Sequence, residues 1–137
     1  MGIAQNAFSR EFLEGFYRLN KIQMDNIDDM RSLMSGDKEN YFAFDMYASY
    51  YESIGILVKN NLVDIRLVSQ MISGNVISFW ERYGNGLKDV RREWRWPRLF
   101  VEVEYLYDRI LEYGGEHPEL GIASPIYAQD EMITGKR

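Results

Sequence analysis

Residues 75–94 read NVISFWERYGNGLKDVRREW, and the spacing of their apolar side chains indicates the fold class. Its apolar residues recur at alternating steps of four and three: Val76, Trp80, Tyr83, Leu87, Val90 and Trp94. This spacing puts them on one stripe of a helix, which is typical of an amphipathic helix with a single buried face. No alternating apolar and polar run long enough for a strand competes with it. The sequence therefore predicts an all-α fold.

Similar apolar stripes occur in the segments before and after this stretch, and together they predict a bundle of about five helices. The first is a single long helix over residues 7–35, with a polar gap around Gln23. Gly84 and Gly86 weaken the helix of the opening stretch without shifting its apolar period, so we expect a bend there. Pro97 suits the first turn of a helix and starts the last one. The predicted helices cover residues 7–35, 38–59, 65–72, 75–94 and 97–113.

The length fits one domain, since a chain of 137 residues buries roughly two-thirds of its extended surface on folding. Residues 1–113 are predicted to form the helical bundle. Residues 114–137 contain the glycines and prolines that break helices, and we expect an irregular C-terminal tail there. A hydrophobic content of 46% is ample for a core.

Composition excludes several classes of site. The chain has no cysteine, so it has no disulfide, no thiolate metal site and no cysteine nucleophile. No stretch approaches the ~20 apolar residues of a membrane span, and residues 1–9 lack the basic and apolar segments of a signal peptide. We therefore expect a cytoplasmic protein with no membrane partner.

The strongest candidate for a ligand site is the basic and aromatic stretch of residues 88–98. It holds five Lys and Arg residues against two carboxylates. Arginine and tryptophan together suit phosphates and stacked bases. In the other interpretation, Trp94 closes the core and the arginines pair with acidic residues of the last helix or of the tail. A net charge of −5 disfavours nucleic acid as the ligand. The candidate ligand-binding residues are Arg91, Arg92, Arg95 and Trp96.

Acidic pairs in the first predicted helix resemble those of all-helical nucleotide pyrophosphohydrolases, which hold magnesium between helices. The residues are Glu11-x-x-Glu14 and Asp25-x-x-Asp28-Asp29. On one continuous helix the two pairs would lie ~16 Å apart, too far for one metal ion. A solvated acidic face is the better interpretation, with no metal ligand and no cofactor. His117 is the single histidine and has no partner in sequence for catalysis, so we predict no catalytic residue.

The middle of the chain resembles a family of small all-helical prokaryotic proteins classed as a domain of unknown function. The resemblance covers about residues 40–113. It implies a helical fold and brings no activity with it. The segments that carry it are Ser53–Lys59 (SIGILVK), Leu62–Asp64, Leu67-Val68, Ser78–Glu81, Arg91-Arg92 and Val103–Leu106.

These observations favour an interaction module that self-associates as a homodimer. The first predicted helix carries two apolar clusters on either side of Gln23, more than one small core can cover. Two alternatives stay open: a phosphate, nucleotide or nucleic-acid binder through residues 88–98, and a magnesium-dependent nucleotide hydrolase. The predicted self-association residues are Phe12, Phe16, Leu19, Ile27 and Met30.

Overall fold

The computed structural model describes residues 9–122, apart from the side chain of Phe12. This range is helical and contains no strand, which confirms the all-α prediction. None of the helices in residues 9–122 combines the length and hydropathy that crossing a membrane requires. The elements are α1 (Arg10–Leu19), α2 (Ile27–Ser35), α3 (Lys38–Lys59), α4 (Ile65–Glu93), α5 (Val101–Glu116) and a 3₁₀ turn (Pro118–Leu120).

The prediction of one long N-terminal helix is wrong, because residues 20–26 separate α1 from α2. In this link Ile22 and Met24 turn into the core. Asn26 then caps α2, with its side-chain oxygen accepting the Asp29 N–H at 3.0 Å. The Ile27 N–H donates to Asp89 of α4 at 2.8 Å. The polar gap in the sequence is thus a link between two helices.

Helix α4 joins the predicted third and fourth helices into one element of 29 residues. The backbone leaves helical angles at Ile72 (φ −138°, ψ 16°), so a kink lies at the predicted end of the third helix. Gly84 and Gly86 continue the helix rather than interrupting it. Gly86 lies against the backbone of Met24, where a side chain would collide with the carbonyl group. Gly86 therefore allows α4 to pack closely against the link.

The core is built around aromatic side chains of α3 and α4. Phe79 contacts Phe44, Tyr51 and Tyr83, with ring centroids 5.2–5.6 Å apart. The predicted stripe of α4 is buried from Val76 to Val90, whereas Trp94 at its end is exposed. Helix α5 packs against α3 and α4, and α1 packs chiefly against α3. The helices therefore share one hydrophobic core.

Helix α5 begins at Val101 rather than at Pro97 and reaches Glu116, past the predicted end at Tyr113. Its N-cap residue, Phe100, has a left-handed backbone (φ 49°) and supplies no side-chain hydrogen bond. Residues 123–137, most of the predicted irregular tail, lie outside the described residues.

Candidate functional site

A groove of about 850 Å³ lies along α1 and α3. Four large apolar side chains line it, and we call them the groove patch. Their exposed fractions are 57% for Leu13, 68% for Tyr17, 57% for Phe42 and 40% for Met46. Large apolar side chains normally bury most of their surface, so several exposed ones that line one groove make it a candidate interaction site. The groove patch is the main candidate site.

The spacing of the groove patch explains its geometry. Leu13 and Tyr17 are four residues apart on α1, and Phe42 and Met46 are four apart on α3. Residues at that spacing share one face of a helix. Gly15 lets the two helices approach closely, since a Cβ there would lie 3.0 Å from the Met46 methyl group. Two helix faces thus form one continuous surface.

The rim of the groove carries charges of both signs. Glu11 and Glu14 lie in the N-terminal half of α1, Arg18 lies near its C-terminal end, and Lys21 follows in the link. Glu14 accepts from the guanidinium of Arg10 at 2.9 Å. Beyond α1, Arg18 pairs with Asp37 at 3.3 Å, and the Lys21 ammonium lies 4.5 Å from the centre of the Tyr17 ring.

The predicted self-association residues face inward. Leu19 and Met30 are buried in the core, and Phe16 and Ile27 are half-buried against it. The side chain of Phe12 lies outside the described residues. The described residues of this set therefore pack on the chain's own helices. Self-association through them stays a prediction.

Arg91 holds the loop between α4 and α5. Its guanidinium donates to the carbonyl of Leu99 at 2.6 Å, to the carbonyl of Phe100 at 3.0 Å and to the carboxylate of Glu104 at 2.7 Å. Lys88 also lies 3.5 Å from Glu104. For Arg91, these contacts agree with the interpretation in which an arginine pairs with the last helix. The Arg91 side chain therefore has a structural role.

The side chains of the other predicted ligand residues make different contacts from that of Arg91. Arg92 pairs with Asp89, the residue that also caps α2. Arg95 and Trp96 are exposed on the α4–α5 loop, and the Arg95 backbone is left-handed (φ 51°). Arg98 is exposed on the same loop. The loop presents aromatic and cationic groups at the surface while Arg91 fixes its ends.

The sequence analysis did not identify a pair of carboxylates that lies between α3 and α5. Glu52 of α3 accepts the backbone N–H groups of Glu102 and Val103, both at 2.8 Å, and so caps α5 from another helix. Burial raises the pKa of Glu52, and these hydrogen bonds oppose the rise. The buried Glu102 bonds to Lys59 at 3.1 Å. The one sequence signal that pointed to this contact is the lack of a capping residue before α5.

The acidic pairs lie on two different helices and the link, not on one. Glu14 pairs with Arg10, Asp28 pairs with Arg31 at 3.1 Å, and the Asp25 N–H donates to Asp29 at 2.7 Å. Across residues 9–122, no three His, Asp or Glu side chains converge as metal ligands would.

The single histidine, His117, lies beside the end of α5. Its ring stacks on Tyr113, with centroids 4.1 Å apart, and its Nδ1 lies 3.2 Å from a Glu119 carboxylate oxygen. These contacts fasten the 3₁₀ turn to the helix.

A family model described as a domain of unknown function, DUF4760, matches residues 2–110. The chain belongs to the DUF4760 family. The match confirms the resemblance to a domain of unknown function and extends it beyond residues 40–113, since it also covers α1 and α2. No curated protein and no solved structure gave a match. The family match therefore covers both helices that form the groove, and the family description names no activity.

Proposed function

We propose that this DUF4760 chain is a helical interaction module that self-associates as a homodimer through the groove between α1 and α3. The observation that carries the proposal is the groove patch, four large apolar side chains held at 40–68% exposure on one surface. Burial of apolar surface stabilises by about 25 cal/mol per Å². A second copy seated on the groove would remove this surface from water.

The composition of the groove supports a protein partner. Aromatic residues and methionine are enriched in protein interfaces, and the patch consists of Tyr17, Phe42, Met46 and Leu13. The rim contains both carboxylates and cations, so it complements a copy of itself. A specific interface buries roughly 800 Å² on each partner, so the contact must include the rim as well as the patch.

Sedimentation analysis of the full chain tests the proposal. We expect the average mass to rise above 16.2 kDa toward the dimer as concentration increases from about 1 to about 100 µM. Leu13→Glu and Phe42→Glu should each keep the chain monomeric, because a buried charge without a partner opposes association. Leu67→Glu and Leu111→Glu replace exposed leucines outside the groove and should behave like the wild type. Circular dichroism checks that each variant folds.

A wild-type chain that stays monomeric throughout this range contradicts the proposal. Dimers that survive both groove substitutions would place the contact elsewhere on the chain. In either case the groove patch would not be the self-association surface.

A second candidate function is supported by the α4–α5 loop: binding of a phosphate-bearing ligand such as a nucleotide. Trp96 is 53% exposed, and Arg95 and Arg98 form no ion pair within residues 9–122. Titration with ATP should quench tryptophan fluorescence, and the effect should weaken with salt. Arg95→Ala and Trp96→Ala should lower the affinity, whereas Arg31→Ala on α2 serves as the control. No quenching by ATP at low salt would exclude this candidate.

A further inference from the structure

A second cavity, of about 370 Å³, lies where the loop between α3 and α4 meets α5, and it shares no lining residue with the groove. Its walls are the chain from Asn61 to Ile65 and the side chains of Tyr105 and Arg109 on α5. The N–H groups of Asn61 and Leu62 donate to carbonyls of α3 at 3.0 and 2.9 Å, which fixes the loop. The volume is that of a small-molecule site, roughly 300–1,000 Å³.

Arg109 brings a cation to this cavity whose donors the fold does not fully use. Its Nη1 atom is buried and has no hydrogen-bond partner among residues 9–122. The Glu112 carboxylate lies 3.8 Å from Nη1, too far for a hydrogen bond. The Arg109 side chain as a whole is 30% exposed and lines the cavity. A carboxylate is the acceptor that suits a guanidinium best, because it accepts two parallel hydrogen bonds.

Asp64 brings the opposite charge to the same cavity. Its Oδ1 atom caps α4 by accepting the Arg66 N–H at 2.8 Å. This contact leaves Oδ2 available for a cationic group. A ligand with only a negative charge would meet Asp64, and one with only a positive charge would meet Arg109. The two side chains together therefore favour a ligand that carries both charges.

The apolar part of the lining favours a ligand that also has a hydrocarbon side chain. Leu62 is 71% exposed, so a ligand in the cavity can cover apolar surface that the fold leaves in water. The apolar lining residues are Val58, Leu62, Val63 and Ile65.

We infer that this cavity binds a free α-amino acid with a branched apolar side chain, such as leucine. The carboxylate of the ligand binds the Arg109 guanidinium, its ammonium group binds Asp64, and its side chain packs on the apolar lining. The site is separate from the groove, so the inference does not depend on the proposed self-association.

Calorimetric titration of the full chain with L-leucine tests the inference. Leucine should bind with a dissociation constant in the millimolar range or below. Isocaproate is leucine without the amino group, and isoamylamine is leucine without the carboxylate. Each should bind at least about tenfold more weakly than leucine, because each lacks one ionic contact. Glycine lacks the apolar side chain and should also bind more weakly.

Two substitutions assign the ionic contacts to their residues. Arg109→Gln should weaken leucine binding at least about tenfold without weakening the binding of isoamylamine. Asp64→Asn keeps the helix cap, since asparagine caps as well as aspartate, and should weaken the binding of leucine but not of isocaproate. The matched controls are Arg31→Gln on α2 and Asp37→Asn at the N-cap of α3, and both should bind leucine like the wild type.

The inference fails if leucine at about 10 mM gives no heat of binding and no rise in the melting temperature. It also fails if a folded Arg109→Gln chain binds leucine as the wild type does, or if isocaproate binds as tightly as leucine. Circular dichroism establishes that each variant is folded. None of these results bears on dimerisation through the groove, which sedimentation decides.

Discussion

At the scale of single residues, the Glu52 carboxylate connects two helices. It sits on α3 and closes the start of α5, where Phe100 offers no cap of its own. Glu52→Ala should lower the free energy of unfolding by about 1–3 kcal/mol, because two backbone N–H groups lose their acceptor. Glu52→Gln keeps one oxygen at this position and should lose less. Urea denaturation measures both; equal stability of the alanine variant and the wild type would contradict the capping role.

The same residue should give the stability a specific pH dependence. Burial raises the pKa of Glu52 in the folded state, so ionising it costs more there than in the unfolded chain. Its contribution is fully present below the ordinary glutamate pKa and is lost as pH rises through the raised value. The unfolding free energy of the wild type should therefore fall relative to Glu52→Gln from about pH 4 upward. If the wild type instead became more stable relative to the glutamine variant over that range, the pH dependence would have the opposite sign and the prediction would be wrong.

Two glycines should respond in opposite ways to the same substitution. Gly55 of α3 lies against the backbone of Glu102, where an added methyl group would collide with the carbonyl oxygen. Gly55→Ala should lower the free energy of unfolding by about 1–3 kcal/mol, because the collision outweighs the higher helix propensity of alanine. Gly115 of α5 has no atom within 4 Å of the added position, and Gly115→Ala should stabilise by about 0.5–1 kcal/mol. Thermal melting of the two variants should show shifts of opposite sign.

At the scale of elements, Arg91 ties the α4–α5 loop to α5. It bridges two backbone carbonyls and Glu104, so Arg91→Ala removes all three of these hydrogen bonds. We expect a loss of about 2–4 kcal/mol, with only partial rescue by lysine, whose single ammonium cannot span all three oxygens. Hydrogen exchange should accelerate at residues 94–101. Unchanged exchange in the alanine variant would mean that the loop is held by other contacts.

The elements also show what local sequence can and cannot reveal. The stripe from Val76 to Val90 predicted a buried helix face correctly, because helical periodicity is a local property. The break between α1 and α2 depends on distant residues: the Tyr83 hydroxyl donates to the Leu19 carbonyl at 2.5 Å, and Asp89 caps Ile27. Those partners lie more than sixty positions away in sequence. The apolar periodicity does not contain this information, so it predicted one helix through residues 20–26.

At the scale of the whole molecule, the site is a product of packing rather than of any motif. The apolar excess on the first predicted helix was visible in sequence, and it suggested self-association. Which face stays open depends on how α1 lies on α3, and Phe42 and Met46 complete the groove from a second helix. In the loop, periodicity did not distinguish an arginine committed to the fold, Arg91, from one exposed to solvent, Arg95.

Self-association through the groove should couple the stability of the whole molecule to its concentration. A dimer that forms only from folded chains stabilises the folded state by mass action, so the melting temperature rises with protein concentration. We expect this rise in the wild type over a hundredfold range. Leu13→Glu should abolish it, while its melting temperature stays close to that of the wild type at high dilution, because Leu13 is 57% exposed in the single chain. Calorimetry at several concentrations measures both effects, with Leu111→Glu as the matched control. A wild-type melting temperature that does not change with concentration would mean that the groove remains open in the folded protein.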